Sequence, residues 1–429
     1  MRQHKKAWLV VVAAMVVLAG CGSSSGSKSS GSGGSSGGSS GGSSGGSPIS
    51  IMQITQPVVN GQDLSLGVRA AVDAINASGG IEGHKIKFTF CQDGSPPLGD
   101  PNTSANCARQ AVQNGDAAIV GAFTIYDTNM FPILTAGHIP LIVGPSGDPN
   151  DATNTDAFPV TESGFPILVG QAEVLAQQAH CKKIGVITLG GIPSTTDIVD
   201  SVDAGAKEAG AAVAAPSLVT PTTTDFSPSI AKLSGEGVDC VVDGFPTTAQ
   251  TQPILEAIKS SGTNMRMSVN IDVLTKSAIA SIGPLLNGVY GSDSAYENAL
   301  AGTDDTADAT PQEAAMISNM QKYQPGALAQ NHSDYPGYAS MMVFEAAVKN
   351  VIAAKQPVTA ENVLDALNHL QISTGIVPPL NFGQAGAIKA QPRMFDSMIN
   401  FFVVKNGKLV ALTHNNYDTA PALNHYPHG

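Results

Sequence analysis

The stretch Gly67-Val-Arg-Ala-Ala-Val-Asp-Ala-Ile-Asn-Ala-Ser-Gly-Gly-Ile-Glu-Gly83 decides the fold class of this 429-residue chain. Leu64, Val68, Ala71, Val72 and Ile75 share one face at helical spacing, and Gly79-Gly80 stops the helix. Residues 49–54 before it and 85–90 after it are rich in Ile, Phe and Thr, which reads as strand, helix, strand.

The same alternation continues outward. A helix over 102–114, a strand at 117–120, a helix over 128–136 and a strand at 140–143 complete one unit. It then restarts: Leu168, Ala172, Leu175 and Ala179 lie on one helical face before a strand at 184–189, and Val199, Val202, Ala206 and Ala209 mark the next helix. Strands near 213–219, 238–243 and 265–269 alternate with helices near 226–233 and 250–260. A helix over 336–354 and a hairpin over 398–412, turned at Asn406-Gly407, close the pattern. This is an α/β chain with parallel sheets. From Pro48 onward it has about 380 residues, too many for one compact core, so two lobes with a cleft between them are expected.

The N-terminus has a different character. Arg2, Lys5 and Lys6 precede an apolar run from Ala7 to Leu18, and Leu18-Ala19-Gly20-Cys21 follows. The layout is that of a secretory signal, and the apolar run is short of the roughly 20 residues that a membrane span needs. Small residues before Cys21 resemble the lipobox of bacterial lipoproteins, which implies a signal peptide over 1–20 and a lipid on Cys21 that anchors the exported protein to the membrane. Residues 21–48 are almost entirely Ser and Gly, a flexible tether with no apolar surface to bury.

Composition narrows the functional classes. The formal charge of −12 becomes about −15 once Arg2, Lys5 and Lys6 are removed with the leader, which argues against nucleic acid and against an electrostatic grip on anionic lipid. Cys91, Cys107, Cys181 and Cys240 remain, an even number in a compartment that permits disulfides. Three pairings are open, as are four buried thiols; Cys91 with Cys107 and Cys181 with Cys240 keeps each bridge within one lobe. The cysteines lack Cys-x-x-Cys spacing, so no metal is expected, and no cofactor motif occurs. Gly22-Ser-Ser-Ser-Gly26 formally matches a nucleophile elbow, but a Ser/Gly tract generates that pattern by chance. With no His-Glu-x-x-His and no phosphate loop, the chain does not read as an enzyme.

Ligands of open parallel sheets sit beyond the carboxyl ends of the strands. That rule selects the loops 55–63, 122–127 and 144–148 in the first lobe and 190–197, 244–247 and 270–272 in the second.

The stretch from Gly67 to Gly83 resembles the first helix and glycine turn of leucine/isoleucine/valine-binding-type periplasmic proteins. Gly144-Pro-Ser-Gly-Asp-Pro149 is similar to that family's small-residue ligand loop, and Pro379-Leu-Asn-Phe382 with Gly386 and Lys389 is similar to its late signature. The resemblance implies a type I periplasmic-binding fold: two doubly wound α/β lobes joined by three crossover segments, near Val160, Gly291 and Arg393. The first lobe would comprise 49–160 and 292–392, the second 161–291 and 393–413, with 414–429 as a C-terminal tail. It further implies a monomer that captures a small organic solute and delivers it to the permease and ATPase subunits of an ABC importer; the same fold also serves as a sensing module for signalling partners. By position, Thr124, Ile125, Tyr126, Ser146 and Gly147 would face a solute carboxylate, Asp272 would stand nearest the acid that holds an ammonium, and Ser194, Phe245, Thr247 and Tyr338 would complete the ligand set. Phe123-Thr-Ile-Tyr-Asp127 replaces a serine run, and Ile192-Pro-Ser194 replaces a common tyrosine. The expected ligand therefore widens from a branched-chain amino acid to a related carboxylate or amide.

Overall fold

The computed structural model describes residues 46–55, 63–95, 99–161, 164–192, 194–245, 248–270, 273–274, 276–293, 310–325, 334–412 and 417–426. The expected leader, Cys21 and most of the expected tether lie outside them, as do Thr247 and Asp272.

In the first lobe, β1 (Ile49–Thr55), α1 (Leu66–Ala77), β2 (Ile86–Gln92), α2 (Pro101–Asn114), β3 (Ile119–Ala122), α3 (Asp127–Ala136), β4 (Leu141–Val143) and β5 (Ala157–Pro159) follow one another. The strands form one parallel sheet in the order β2-β1-β3-β4-β5. The order reverses direction between β1 and β3, which opens a crevice at their carboxyl ends.

The second lobe repeats the plan with α4 (Gly164–Gln177), β6 (Lys183–Leu189), α5 (Thr195–Glu208), β7 (Ala212–Val213), β8 (Ser217–Val219), α6 (Ser227–Gly235), β9 (Cys240–Asp243), α7 (Thr248–Ser261), β10 (Arg266–Asn270), α8 (Lys276–Leu286) and β11 (Tyr290–Asp293). Here β6 lies between β9 and the short pair β7 and β8, so a second switch point falls between β6 and β9. The expected single strand over 213–219 is two pieces because Pro216 lacks the N–H that a continuous ladder requires.

The chain then returns to the first lobe as α9 (Pro311–Tyr323) and α10 (Asp334–Ala353), both packed on α1, followed by α11 (Ala360–Asn368) and a small hairpin of β12 (Gln371–Ile372) with β13 (Leu380–Asn381). Ile86, Val68 and Val72 join Phe344, Ala347 and Val348 of α10 in the main core. Helix α10 is buried around its circumference over its first two turns, Gly337, Ala339 and Ser340 included, and turns Glu345, Lys349 and Asn350 toward solvent in its second half. Among the described residues, no helix is long and apolar enough to cross a membrane.

Finally β14 (Met398–Lys405) pairs antiparallel with β11 and, through Asn406-Gly407, with β15 (Lys408–Ala411). Asn406 and Gly407 have φ of 53° and 72°, the conformation of a two-residue hairpin turn. Two boundaries differ from expectation. Gly291, Ser292 and Asp293 all belong to β11, where they pair with Phe402, Phe401 and Asn400, so the second sheet keeps two residues assigned above to the first lobe. Residues 417–426 are not a tail: β16 (Tyr417–Asp418) pairs with β14, and α12 (Ala420–His425) buries Ala420, Ala422 and Leu423 against α4 and α5.

Arg393 stands at the third connection. Its guanidinium is sandwiched between the rings of Phe158 (4.6 Å) and Phe395 (4.8 Å), its Nε donates to Ala157 O at 2.9 Å, and its backbone N donates to Ala152 O at 2.9 Å. The connecting segment is thereby fastened to the edge of the first sheet. Both disulfides form in the local pairing, Cys91 with Cys107 and Cys181 with Cys240, with Cα separations of 5.8 and 5.9 Å.

Candidate functional site

A cavity of about 180 Å³ lies where the strand ends of the two lobes face each other. The first lobe contributes Phe123 and Ile125 after β3, Pro145, Ser146 and Gly147 after β4, and Tyr335 and Pro336 from the first turn of α10. The second contributes Phe165, Leu168 and Gln171 of α4, Leu189 and Ile192 after β6, Asp243 and Phe245 after β9, Asn270 at the end of β10 and Asp293 at the end of β11. Its wall is mostly aliphatic and aromatic, the composition that suits an organic solute with a small polar end.

Local chemistry fixes each wall. Gln53 of β1 donates through Nε2 to Gly121 O at 2.8 Å and Leu64 O at 3.1 Å, holding the β3 end against the entry to α1. Gly121 adopts φ 69°, with Val68 Cγ2 only 2.5 Å from where a Cβ would stand, so the turn into Phe123 demands glycine. Ile192 is held by Thr195, whose hydroxyl accepts from Ile192 N at 3.2 Å and donates to Leu189 O at 2.9 Å. Gln171 spans two strands of the second sheet: its amide nitrogen donates to Asp243 O at 3.2 Å and its oxygen accepts from Asn270 N at 3.1 Å.

The acids are buried. Asp243 accepts from Phe245 N at 3.1 Å and Thr251 Oγ1 at 2.6 Å, yet burial pushes its carboxyl up to about 7. Behind the loop of Ser146, Asp127 and Asp151 face one another in full burial. Burial first, then the neighbouring acids, push Asp127 well up, and burial raises Asp151 to about 7. Ser146 Oγ donates to Asp151 Oδ2 at 2.9 Å. Asp148 accepts from Thr128 N and Asn150 N, each at 2.9 Å, and so caps the start of α3.

Of the residues expected at the site, Ile125, Ser146, Gly147, Ser194 and Phe245 line the cavity. Thr124 and Tyr126 do not line it: Thr124 is buried, its hydroxyl accepting from Tyr126 N at 3.0 Å in a local turn. Tyr338 is turned away toward α9, where its hydroxyl accepts from Asn319 Nδ2 at 2.7 Å, so its role is in packing. Sequence reasoning missed the α4 residues, Tyr335 with Pro336, Asp293, and Asp243, which stands one residue before the loop selected by the strand-end rule. The α4 and α10 residues carry no local signal, because only the tertiary arrangement aims those helices at the cleft.

Two doubly wound lobes with an apolar cavity between their strand ends define a bilobed binding protein. The model of the periplasmic binding protein family matches residues 57–400, and the chain belongs to that family. The type I periplasmic-binding fold expected from the sequence is the fold observed. Over 203 residues the chain is 29% identical to Leu/Ile/Val-binding protein homolog 3 of Brucella melitensis, covering 45% of this chain and 52% of that protein. It thus spans about half the length of this curated relative. Among solved structures it is similar to a branched-chain amino acid ABC transporter protein of Thermus thermophilus with bound valine (TM-score 0.71, 16% identity, 89% of this chain and 99% of that one). It is also similar to an ABC transporter solute-binding protein of R. palustris in complex with 4-hydroxybenzoate (TM-score 0.69, 16% identity, 87% and 98%).

Proposed function

We propose that this protein is the extracytoplasmic solute-binding component of an ABC importer, tethered to the membrane by a lipid on Cys21. It captures one small, mostly apolar organic solute between its lobes and hands it, as a monomer, to permease and ATPase subunits. The observation that carries this reading is the cavity itself, apolar, walled by both lobes and placed at both switch points. The kinship with the family, and the valine and 4-hydroxybenzoate of the structural neighbours, support the same reading. Capture is a hinge movement about the connecting segments and needs no covalent chemistry, the energy for import coming from the partner ATPases.

Thermal unfolding of the purified protein, freed of carried-over ligand by unfolding and refolding with disulfides intact, tests the proposal against amino acids, aromatic acids, amides and amines. A ligand at 100 times its dissociation constant adds about 2.7 kcal/mol of stability. No shift across such a panel refutes solute capture. For the anchor, Cys21→Ser should move the protein from the membrane to the soluble fraction; unchanged fractionation refutes lipidation at Cys21.

A further inference from the structure

The segment 417–426 grips both lobes at the third connection. It is seated on the second lobe: β16 pairs with β14, Gln177 Nε2 of α4 donates to the Tyr417 hydroxyl at 3.0 Å, and His425 Nδ1 lies 2.9 Å from Glu208 Oε2 of α5. Thr419 fixes the turn into α12, donating to Ser397 O through its backbone N at 3.0 Å and its hydroxyl at 2.9 Å. From that seat Asn424 reaches the connecting segment. Its Nδ2 donates to Ala387 O at 2.9 Å, and its Oδ1 accepts from Lys389 N at 2.8 Å. Apolar contacts repeat the pattern. Ala420, Ala422 and Leu423 of α12 share one buried cluster with Val169 of α4, with Ile388 and Met394 of the connecting segment, and with Ala152. Ala152 belongs to the first lobe: its carbonyl accepts from Arg393 N at 2.9 Å, and it follows Asp151, which accepts from Ser146 on the cavity wall. A helix of six residues is thus packed against the second lobe, the first lobe and the segment that joins them.

Resting on the solute-capture reading, we infer that the segment 417–426 is a strap across the hinge, which holds the angle between the lobes near the one at which both wall the cavity. The third connection cannot swing far without breaking the two Asn424 bonds or shearing the cluster of Ala152, Val169 and Leu423. Packed side chains have a few discrete arrangements rather than a continuous range, so such a cluster resists sliding. Angles far from the observed one are penalised before any solute arrives, which raises the share of molecules ready to bind.

Pulsed electron paramagnetic resonance tests this on the Cys21→Ser protein, refolded free of carried-over ligand with its disulfides intact and measured with no solute added. Nitroxides on Gln113→Cys of α2 and Glu256→Cys of α7, both exposed positions, read the distance between the lobes. Asn424 is only half-buried, and Asn424→Ala should broaden the distance distribution by more than about 2 Å. Leu423→Ala, which thins the shared cluster, should broaden it as well. Asn362→Ala is the control, because it removes a bond of the same kind, Asn362 Nδ2 to Pro357 O at 2.8 Å, that lies within the first lobe. It should leave the distribution as it is. A parent-like distribution in Asn424→Ala, or an equal broadening in Asn362→Ala, overturns the strap. Should Leu423→Ala fail to fold, Asn424→Ala decides alone. The two readings fail separately: a solute that raises the melting temperature while Asn424→Ala keeps the parent distribution leaves capture standing without the strap. Broadening in Asn424→Ala with no thermal shift from any solute leaves the strap standing without capture.

Discussion

Gly67 opens the stretch that announces the fold, and its replacement by alanine gives the sharpest test of how the first lobe is assembled. A Cβ built there would lie 1.9 Å from Asp334 O and 3.1 Å from Tyr338 N, both backbone atoms of α10. Since real Cβ contacts essentially never fall below 3.0 Å, α1 and the start of α10 must separate by at least about 1.1 Å. Side chains cannot absorb this, because the atoms met are backbone. Overpacking of this kind costs about 1–3 kcal/mol, against which alanine's better helix propensity offsets at most about 1 kcal/mol. Because the clash at 1.9 Å is with backbone, the upper end of that cost applies, and the net expectation is a loss of about 2 kcal/mol. Gly235 supplies the control: it is exposed in the last turn of α6 and its Cβ would meet nothing within 4 Å, so the same substitution should stabilise by about 0.4–1 kcal/mol.

Urea unfolding followed by far-ultraviolet circular dichroism would compare Gly67→Ala and Gly235→Ala with the parent. The displaced segment carries Tyr335 and Pro336 into the cleft, so solute affinity should fall in the first variant and hold in the second. A Gly67→Ala protein as stable as the parent would refute the close-contact argument.

The remaining predictions concern charge and covalent links. Burial raises Asp93 to about 6, Asp151, Asp243 and Asp396 to about 7 and Glu173 to about 8, so each keeps its proton in the folded state after losing it in the unfolded one. Stability should therefore fall as pH rises from about 4.5 to 8, each group steepening the slope by up to about 1.4 kcal/mol per pH unit. Glu173→Gln should flatten that decline, and a stability profile that rises over this range would contradict the burial of these acids. Removing the Cys181–Cys240 bridge, which closes a sequence separation of 59, should cost about 4 kcal/mol, and removing Cys91–Cys107, with a separation of 16, about 3 kcal/mol. Denaturation of the two Cys→Ala pairs checks the order, which fails if the shorter loop proves the costlier. Arg393→Lys retains the charge but loses the planar stack on Phe158 and Phe395, and should destabilise by about 1–2 kcal/mol in the same assay. No change would mean that the third connection is held by its backbone bonds alone.

The fold was legible because its signals are local. Helical spacing of Val68, Ala71, Val72 and Ile75 marks α1, and Asn406-Gly407 marks the last hairpin, since both depend on neighbours a few residues away. The errors have an equally physical origin. Ser292 and Asp293 stay in the second sheet because β14, more than a hundred residues later, pairs with them. The stretch 420–425 is too short to show an apolar period, and it becomes a helix with buried Ala422 and Leu423 only because α4 and α5 offer it a surface.

Five of the six loops selected by the strand-end rule line the cavity, 55–63 being the exception among the described residues, and the side-chain contacts within them were the part it could not supply. Ser146 and Asp148 sit in the expected loop, but which of their hydrogen-bonding groups remain for a ligand depends on Asp127, Asp151 and Thr128, brought together from three segments. Likewise Asp243 ends a strand, a position where an acid reads as solvated, and only the packing of Gln171, Thr251 and Phe245 around it makes it a buried wall residue. Position within a family pattern carries the location of a ligand loop, because the backbone path sets location. Which groups of the loop a ligand can reach follows instead from the bonds the protein makes within itself, as the Ser146 hydroxyl bonded to Asp151 and the Asp148 carboxylate bonded to Thr128 and Asn150 show.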